Sequence, residues 1–420
     1  MTWDLVLYNA AQIVTVAAGG ARVKRGAAMR DIGVIEDGAI GIKDGRIGYV
    51  GATDGIDIGD AAQSLSVMDR VVLPGFVDAH THLVFAGARE KEFARRVAGA
   101  TYAEIAASGG GINTTVRATR AAAPVELVNN ALTLLDSCLG FGTTTVEIKS
   151  GYGLDVASEL KLLEVVRELG ELHQLECVPT FLGAHTIPFD MKERREEYVR
   201  SIIEEMLPEV ARRGLAEYCD VFAEATAFTI DEARRILEAA QGLGLKVRVH
   251  ADQITPNGGT ALAAALGAAS ADHLDHASDA DLDAMRAAGT IPILLPGVSL
   301  FLGEEFPDAR RFIDADLPVA IATDVNPGSC MSENLQLMMS LAAMRMHMSM
   351  EEVVTAVTLN AAAALDRSDR LGSIEVGKQA DLLVFDVPTW ERIIYHFGVN
   401  HLAVVVKKGT IVLQKGYAYA

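Results

Sequence analysis

His80 and His82, in His80-Thr81-His82, close an apolar run over residues 71–79. Side chains repeat every second position along a strand, so two imidazoles at a strand end share a face and can grip one ion. A lone His-x-His is equally compatible with two structural histidines beside a turn, so its partners decide. His250 ends the run from Lys246, His273 follows Ser270-Ala271-Asp272, and Asp324 ends the run from Val319. Taken singly, a strand-end histidine is more often a hydrogen-bonded structural residue, and Asp324 could cap a following helix. Together, three imidazoles and one carboxylate (His80, His82, His250 and Asp324) suit one divalent ion, Zn2+ or Fe, with a position left for water. Such an ion lowers the pKa of a water to about 7. A proton carrier is then needed. Asp324 fits that role, and His273 can orient the water or stabilise an oxyanion.

The elements that would hold these residues follow from periodicity. Apolar runs begin near Val71, Thr143, Glu176, Tyr218, Lys246, Ser270, Ile291 and Pro318. Helical patterns follow most of them, over 157–169, 194–212, 230–240, 259–266, 279–287 and 332–346. Short apolar strands alternating with amphipathic helices predict an α/β fold with a parallel sheet, and eight repeats predict a closed (β/α)8 TIM-like barrel. An open doubly wound sheet is the rival topology. In a barrel the metal-type residues all reach one rim. Both chain ends have another texture, short strands punctuated by glycine, with Asp44-Gly45 and Lys408-Gly409 as hairpin turns. Neither end alone can cover a sheet face. Residues 1–68 plus 366–420 are therefore expected to form a small composite β-sandwich domain, and 69–365 the barrel.

Composition narrows the function classes. The chain has 420 residues, 50% hydrophobic and 22% charged, which suits a large packed core. Its formal charge is -19 and it has no Lys/Arg block, so nucleic acid is not an expected partner. Cys138, Cys177, Cys219 and Cys330 lack metal-knuckle or redox spacing and read as buried free thiols in a reducing compartment. The N-terminal residues do not read as a secretory signal, and no apolar stretch is long enough to span a bilayer. A cytoplasmic protein without membrane partners is expected.

The metal-type residues, with the composite terminal domain, resemble the amidohydrolase superfamily. Narrower segments resemble its imidazolonepropionase family, which acts in histidine degradation. They are 83–90, Gly109-Gly110-Gly111-Ile112 running into 115–120, 144–154 with Lys149-Ser150-Gly151-Tyr152-Gly153, 181–188, His250-Ala251-Asp252-Gln253, 270–274, 322–329 and 395–400. The likeness spans essentially the whole chain. His-x-His is common to many amidohydrolases, whereas Lys149 to Gly153 with the Gly-rich segment is much narrower.

The resemblance implies hydrolytic opening of 4-imidazolone-5-propanoate to N-formimino-L-glutamate, with Asp324 as proton carrier, and a homodimer. It also implies a substrate carboxylate, for which Arg89, in the loop after His82, offers a bidentate guanidinium. On residue chemistry alone, a surface pair of Arg89 with Glu90 or Glu92 is the plainer reading. Tyr152, His185, Gln253, Asn326, Gly328 and Ser329 match positions that touch substrate in that family, and Tyr102 is a weaker match. Gln253 is assigned to recognition only, because an amide cannot act as a general base. Departures from the family pattern stand at Ala223, where a Cys-Glu pairing is expected, and at Cys330. The rival chemistry is a cyclic amidohydrolase or deaminase acting on a hydantoin, thiohydantoin or aminated heterocycle. The rival class is an inactive scaffold, which would be expected to have lost ligands.

Overall fold

The computed structural model describes residues 2–99 and 110–415. Five N-terminal strands come first: β1 (Trp3–Val14), β2 (Val34–Lys43), β3 (Arg46–Ala52), β4 (Ala61–Ser66) and β5 (Val71–Pro74). Eight barrel strands follow: β6 (Phe76–Asp78), β7 (Thr143–Lys149), β8 (Glu176–Ala184), β9 (Tyr218–Ala223), β10 (Lys246–Ala251), β11 (Ser270–His273), β12 (Ile291–Leu294) and β13 (Ala320–Ile321). The chain ends with β14 (Leu382–Phe385), β15 (Leu402–Lys407) and β16 (Thr410–Gln414).

Strands β6 to β13 pair in sequence order, every pair parallel. The seam between β13 and β6 closes just beyond their ends. There Asp324 N donates to His80 O at 3.0 Å and His82 N to Val325 O at 2.9 Å. Asp78 ties the same seam, accepting from Thr323 N at 3.0 Å and Thr323 Oγ1 at 2.6 Å. The segments that bear the metal-type residues are thus also the segments that shut the barrel.

The apolar run 71–79 is two strands, not one. Val71–Pro74 pairs with β1 and β14 in the terminal sheet, and only Phe76–Asp78 enters the barrel. Pro74 has no N–H to continue a ladder. A Cβ on Gly75 would collide with the Thr144 side chain, so only glycine allows this approach. The alternation of side chains then divides the cores. Val71 and Leu73, Leu383 and Phe385, and Val405 face the barrel's core. Val72, Leu382, Val384, Val404 and Val406 face a second core with Leu5, Leu7 and Ile40 from the N-terminal strands. Both termini therefore supply one eight-stranded sheet. Its two predicted hairpins have left-handed turn residues, Asp44 (φ 50) with Gly45 (φ 71) and Lys408 (φ 49) with Gly409 (φ 80), as a type I′ turn requires.

Helices match the pattern closely at Val156–Leu172, Ile230–Gly242, Gly259–Ala265 and Asp279–Ala288. The segment expected at 194–212 runs Arg195–Arg213 with a π turn at Ile202–Met206, and the last predicted helix starts later, at Leu335–Arg345. Helices Ile112–Ala121 and Pro124–Gly140, between β6 and β7, lie outside the predicted set. Glu176, at the start of β8, ties the barrel floor to the chain's return, accepting from Arg367 Nε and Arg370 Nη1, each at 2.9 Å. Cys138, Cys219 and Cys330 are buried, Cys177 is half-buried, and all four are free.

Candidate active site

Each site residue sits where a barrel strand stops. His80 and His82 follow β6, His250 is the penultimate residue of β10, His273 ends β11, and Asp324 follows β13. All five are buried. One nitrogen each from His80, His82 and His250 lie within 4.8 Å of one another, and His80, His273 and Asp324 form a second such group. Asp324 Oδ1 is 3.4 Å from His80 Nε2 and 3.3 Å from His82 Nε2. His273 faces the same space, its ring centroid 5.5 Å from that of His80 and 5.2 Å from that of His250. Several rim residues are left-handed without being glycine: Leu154 (φ 54), Asp252 (φ 47), His273 (φ 76) and Asp324 (φ 51). Such strain persists where surrounding structure over-determines it, as active sites do.

The donor set fits a divalent cation. His80 Nε2, His250 Nε2 and Asp324 Oδ1 are buried and have no hydrogen-bond partner among the described residues. Buried polar atoms are normally paired, so this cluster of orphans needs an explanation. The opposite nitrogens face carboxylates: His80 Nδ1 is hydrogen-bonded to Asp272 Oδ2 at 2.6 Å, and His250 Nδ1 lies at an ion-pair distance of 3.0 Å from Asp220 Oδ2. A carboxylate on one ring nitrogen fixes the tautomer that leaves the other free to ligate. Charge points the same way. Among the described residues, Glu147, Asp220, Asp272 and Asp324 are buried around two permanently charged cations, Lys149 and Arg248, and a proton on His80 is the further positive charge that an ion would replace. A divalent ion balances the remaining pair of negative charges, and unbalanced buried charge is costly.

The protein field shifts these groups in different directions; for His80, burial and Lys149 oppose a charge, but the Asp272 and Asp324 carboxylates outweigh them and raise the ring to about 9. Burial alone would raise the Asp324 carboxyl, but the facing rings of His80 and His82 more than reverse it and hold the group well below its ordinary value. Burial pushes His273 and His185 well below the usual imidazole range and His82 down to about 4. Burial also lifts Asp78 to about 7, against the hydrogen bonds it accepts from Thr323.

Around this centre lie the residues expected to meet substrate. His185 stacks on His82 at 5.2 Å between ring centroids and 18° between planes, and its Nδ1 lies 3.0 Å from Gly151 O. Tyr152 is buried, its ring 5.9 Å from that of His82 and 5.4 Å from that of His185. Arg89 pairs through Nε with Glu92 Oε2 at 2.9 Å, and a methyl on Gly328 would collide with its Nη1. Glu92, not Glu90, is thus its partner, and the Arg89 side chain is only 14% exposed, so the pair is not a surface one. The Asn326 amide is engaged inside its own turn: Oδ1 accepts from Gly328 N and Ser329 N, and Nδ2 donates to Asp324 O and Ser329 Oγ, all at 2.8 Å. It shapes the wall rather than offering free donors. Gln253 is half-buried beside His250 on the loop after β10. Tyr102 lies outside the described residues.

The family model described as "Amidohydrolase family" matches residues 71–412. An imidazolonepropionase of Alkaliphilus oremlandii (strain OhILAs) is 48% identical over 420 residues, covering 99% of both chains. One of Geobacillus kaustophilus (strain HTA426) is 47% identical, also over 99% of both. The chain belongs to the amidohydrolase family, among the imidazolonepropionases. Among solved structures, the fold is shared with an adenosine deaminase from Xanthomonas campestris with bound zinc, at a TM-score of 0.72 and 21% identity over 98% of this chain and 93% of that one. It is shared too with atrazine chlorohydrolase TrzN from Arthrobacter aurescens TC1 complexed with zinc, at 0.70 and 15%, over 98% and 95%. As an amidohydrolase with this donor set, the protein has a site for a metal ion.

Sequence reasoning passed over what holds this amidohydrolase site in place. Buried carboxylates collect the backbone N–H groups of the loops. Glu159 accepts from Gly151 N, Gly153 N and Leu154 N at 3.0, 2.7 and 2.8 Å, fixing the loop of Tyr152. Glu224 accepts from Ile254 N and Thr255 N at 3.0 and 3.2 Å, fixing the chain beside Gln253. Asp252 accepts from Asn257 N at 2.7 Å and Thr260 N at 2.8 Å. Beneath the candidate ligands, Glu147, Lys149, Asp220, Arg248 and Asp272 form a fully buried ionic layer. Its one sequence signal was polar residues at every second place in otherwise apolar strands.

Proposed function

We propose that this protein opens 4-imidazolone-5-propanoate with water to N-formimino-L-glutamate, at His80, His82, His250 and Asp324 around one divalent ion, Zn2+ or Fe. What carries the reading is 48% identity to an imidazolonepropionase over 99% of a chain whose barrel rim gathers that buried donor set, with Arg89 against Gly328 on the segment after Asp324. When bound, the ion supplies Lewis acidity, polarising the ring carbonyl and lowering the pKa of a water to about 7.

The chain's own residues do the rest. Asp324 remains an anion in this field, so it can take the proton of the attacking water and return it to the departing ring nitrogen. The carbonyl carbon gains the water oxygen as the ring C–N bond breaks, and the nitrogen leaves with that proton. A neutral His273 at the same opening can donate to the oxygen that gathers charge. Arg89, oriented by Glu92 and backed by Gly328, presents its guanidinium to the propanoate carboxylate. Tyr152, His185, Gln253, Asn326, Gly328 and Ser329 form the walls that recognise the ring.

The protein is proposed to act in the cytoplasm as a homodimer, as befits an enzyme of small-molecule degradation. No helix among the described residues is long and apolar enough to cross a membrane. The test is loss of absorbance of freshly generated imidazolonepropanoate, with bound metal quantified in the same sample. Turnover with about one metal ion per chain supports the reading. No turnover of this compound, with activity on hydantoin-propanoate instead, would transfer the assignment to the rival ring.

A further inference from the structure

The ionic layer under the site contains one residue that touches neither ion nor substrate yet reaches both ring-holding carboxylates. Lys149 ends β7 with no exposed surface. Its Nζ lies 2.8 Å from Glu147 Oε1, 2.9 Å from Asp220 Oδ2 and 3.7 Å from Asp272 Oδ2. The contacted oxygens matter. Asp220 Oδ2 is the atom that faces His250 Nδ1 at 3.0 Å, and Asp272 Oδ2 is the atom that faces His80 Nδ1 at 2.6 Å. One ammonium therefore stands behind two ligand rings at once. Its main chain is coupled to the same region, since Lys149 N donates to Thr81 O at 3.0 Å. Its partner Glu147 accepts from Thr81 N at 3.1 Å, between the two ligand histidines.

We propose that Lys149 is the positioning residue of the metal centre, holding Asp220 and Asp272 so that His250 and His80 present their Nε2 atoms to one point. The proposal rests on the metal-site reading given above. Arg248 does not duplicate the role. Its Nη2 donates to Asp272 Oδ2 at 3.5 Å, nearer than Lys149 Nζ at 3.7 Å, and to Ala79 O at 2.7 Å, but among the described residues it forms no ion pair with Asp220, so only Lys149 reaches both carboxylates. Burial works against the Lys149 charge, but Asp220 and Glu147 more than compensate and raise the ammonium's pKa above its ordinary value.

A point charge near a cation would by itself weaken the cation's binding, so a purely electrostatic role and a positioning role predict opposite signs. Two variants separate them. Lys149→Arg keeps the charge but cannot set one ammonium between two carboxylates. Lys149→Met with Glu147→Gln removes a charge pair together, and the Gln carbonyl can still accept from Thr81 N. Each protein is stripped with chelator, its cooperative melt is recorded, and its Zn2+ affinity is measured by competition with a chromophoric chelator. Partners of metal-ligating histidines typically matter 10–100-fold. We expect at least a roughly tenfold loss of Zn2+ affinity in whichever variants melt cooperatively. A cooperatively melting variant that binds Zn2+ as tightly as the parent, or more tightly, overturns the role of Lys149. A parent protein that binds no divalent ion overturns the metal site itself, which keeps the two failures distinct.

Discussion

Gly328→Ala should damage substrate binding through a residue it does not replace. Gly328 is not among the glycines with left-handed φ, so alanine adds no backbone strain there. Its new methyl would instead overlap Arg89 Nη1 and press on Asn326 Oδ1 at 3.3 Å. Glu92 already holds Arg89 Nε at 2.9 Å, so the terminal nitrogens are the part left for a substrate carboxylate. Displacing one of them forfeits one charge-assisted hydrogen bond, about 1.5–3 kcal/mol, or roughly 10–150-fold in binding. The carboxylate is remote from the bond that breaks, so the loss falls equally on bound substrate and transition state. KM should rise by that factor and kcat should stay near the parent value. Arg89→Ala should raise KM at least as far. The double variant should be no worse than Arg89→Ala, because the glycine acts only through the guanidinium. Initial rates on imidazolonepropanoate read all three. An unchanged KM in Gly328→Ala, or losses that add in the double variant, would remove Arg89 from carboxylate recognition.

Other perturbations separate the roles of the remaining groups. Asp324→Asn should cut kcat by about a thousandfold or more, as loss of a proton carrier does, and His80→Ala should abolish turnover and lower the metal content found by elemental analysis. Removing the metal with chelator should lower the melting temperature by several degrees, since free ion at about 100 times its Kd adds about 2.7 kcal/mol; identical melts with and without ion would count against the site. Glu176, with its side chain only 17% exposed, is held down to about 2 as Arg370 and Arg367 outweigh the burial that would raise it. A depressed carboxyl stabilises the fold above its unfolded pKa and ceases to as pH falls towards its folded one. Glu176→Gln should therefore cost up to about 3 kcal/mol at pH 7 and much less at pH 2–3, and a melting gap that does not narrow on acidification would refute this.

How much of this was legible follows from what sets each feature. The eight-strand barrel and the composite terminal sheet were readable because alternation of strand and helix, and Asp-Gly or Lys-Gly turns, are local signals. The split of 71–79 at Pro74-Gly75 was not, because both halves are apolar and only long-range pairing with β14 and β7 tells them apart. His80, His82, His250, His273 and Asp324 could be placed on one rim because each ends an apolar run. Glu159, Glu224 and Asp252 could not be assigned, since a carboxylate that collects backbone N–H groups reads like any loop acid until the loop is folded around it.

The ionic layer was closer to legible than it first looks. Strands of a parallel barrel are covered on both faces and should read as nearly continuous apolar runs. β7, Thr143-Thr144-Thr145-Val146-Glu147-Ile148-Lys149, and β10, Lys246-Val247-Arg248-Val249-His250-Ala251, instead alternate, and in an antiparallel sheet their polar members would point to water. In a closed barrel helices cover the outside, so polar side chains at alternate positions have the interior left to them. Glu147, Lys149, Arg248 and His250 are all buried, as are Asp220 of β9 and Asp272 of β11. A charge placed there is tolerable only if something balances it. Once the parallel topology is established, the alternation itself marks which strands build the site, and with Asp324 added the four carboxylates outnumber Lys149 and Arg248 by two, a deficit that a divalent cation fits before any ligand geometry is measured.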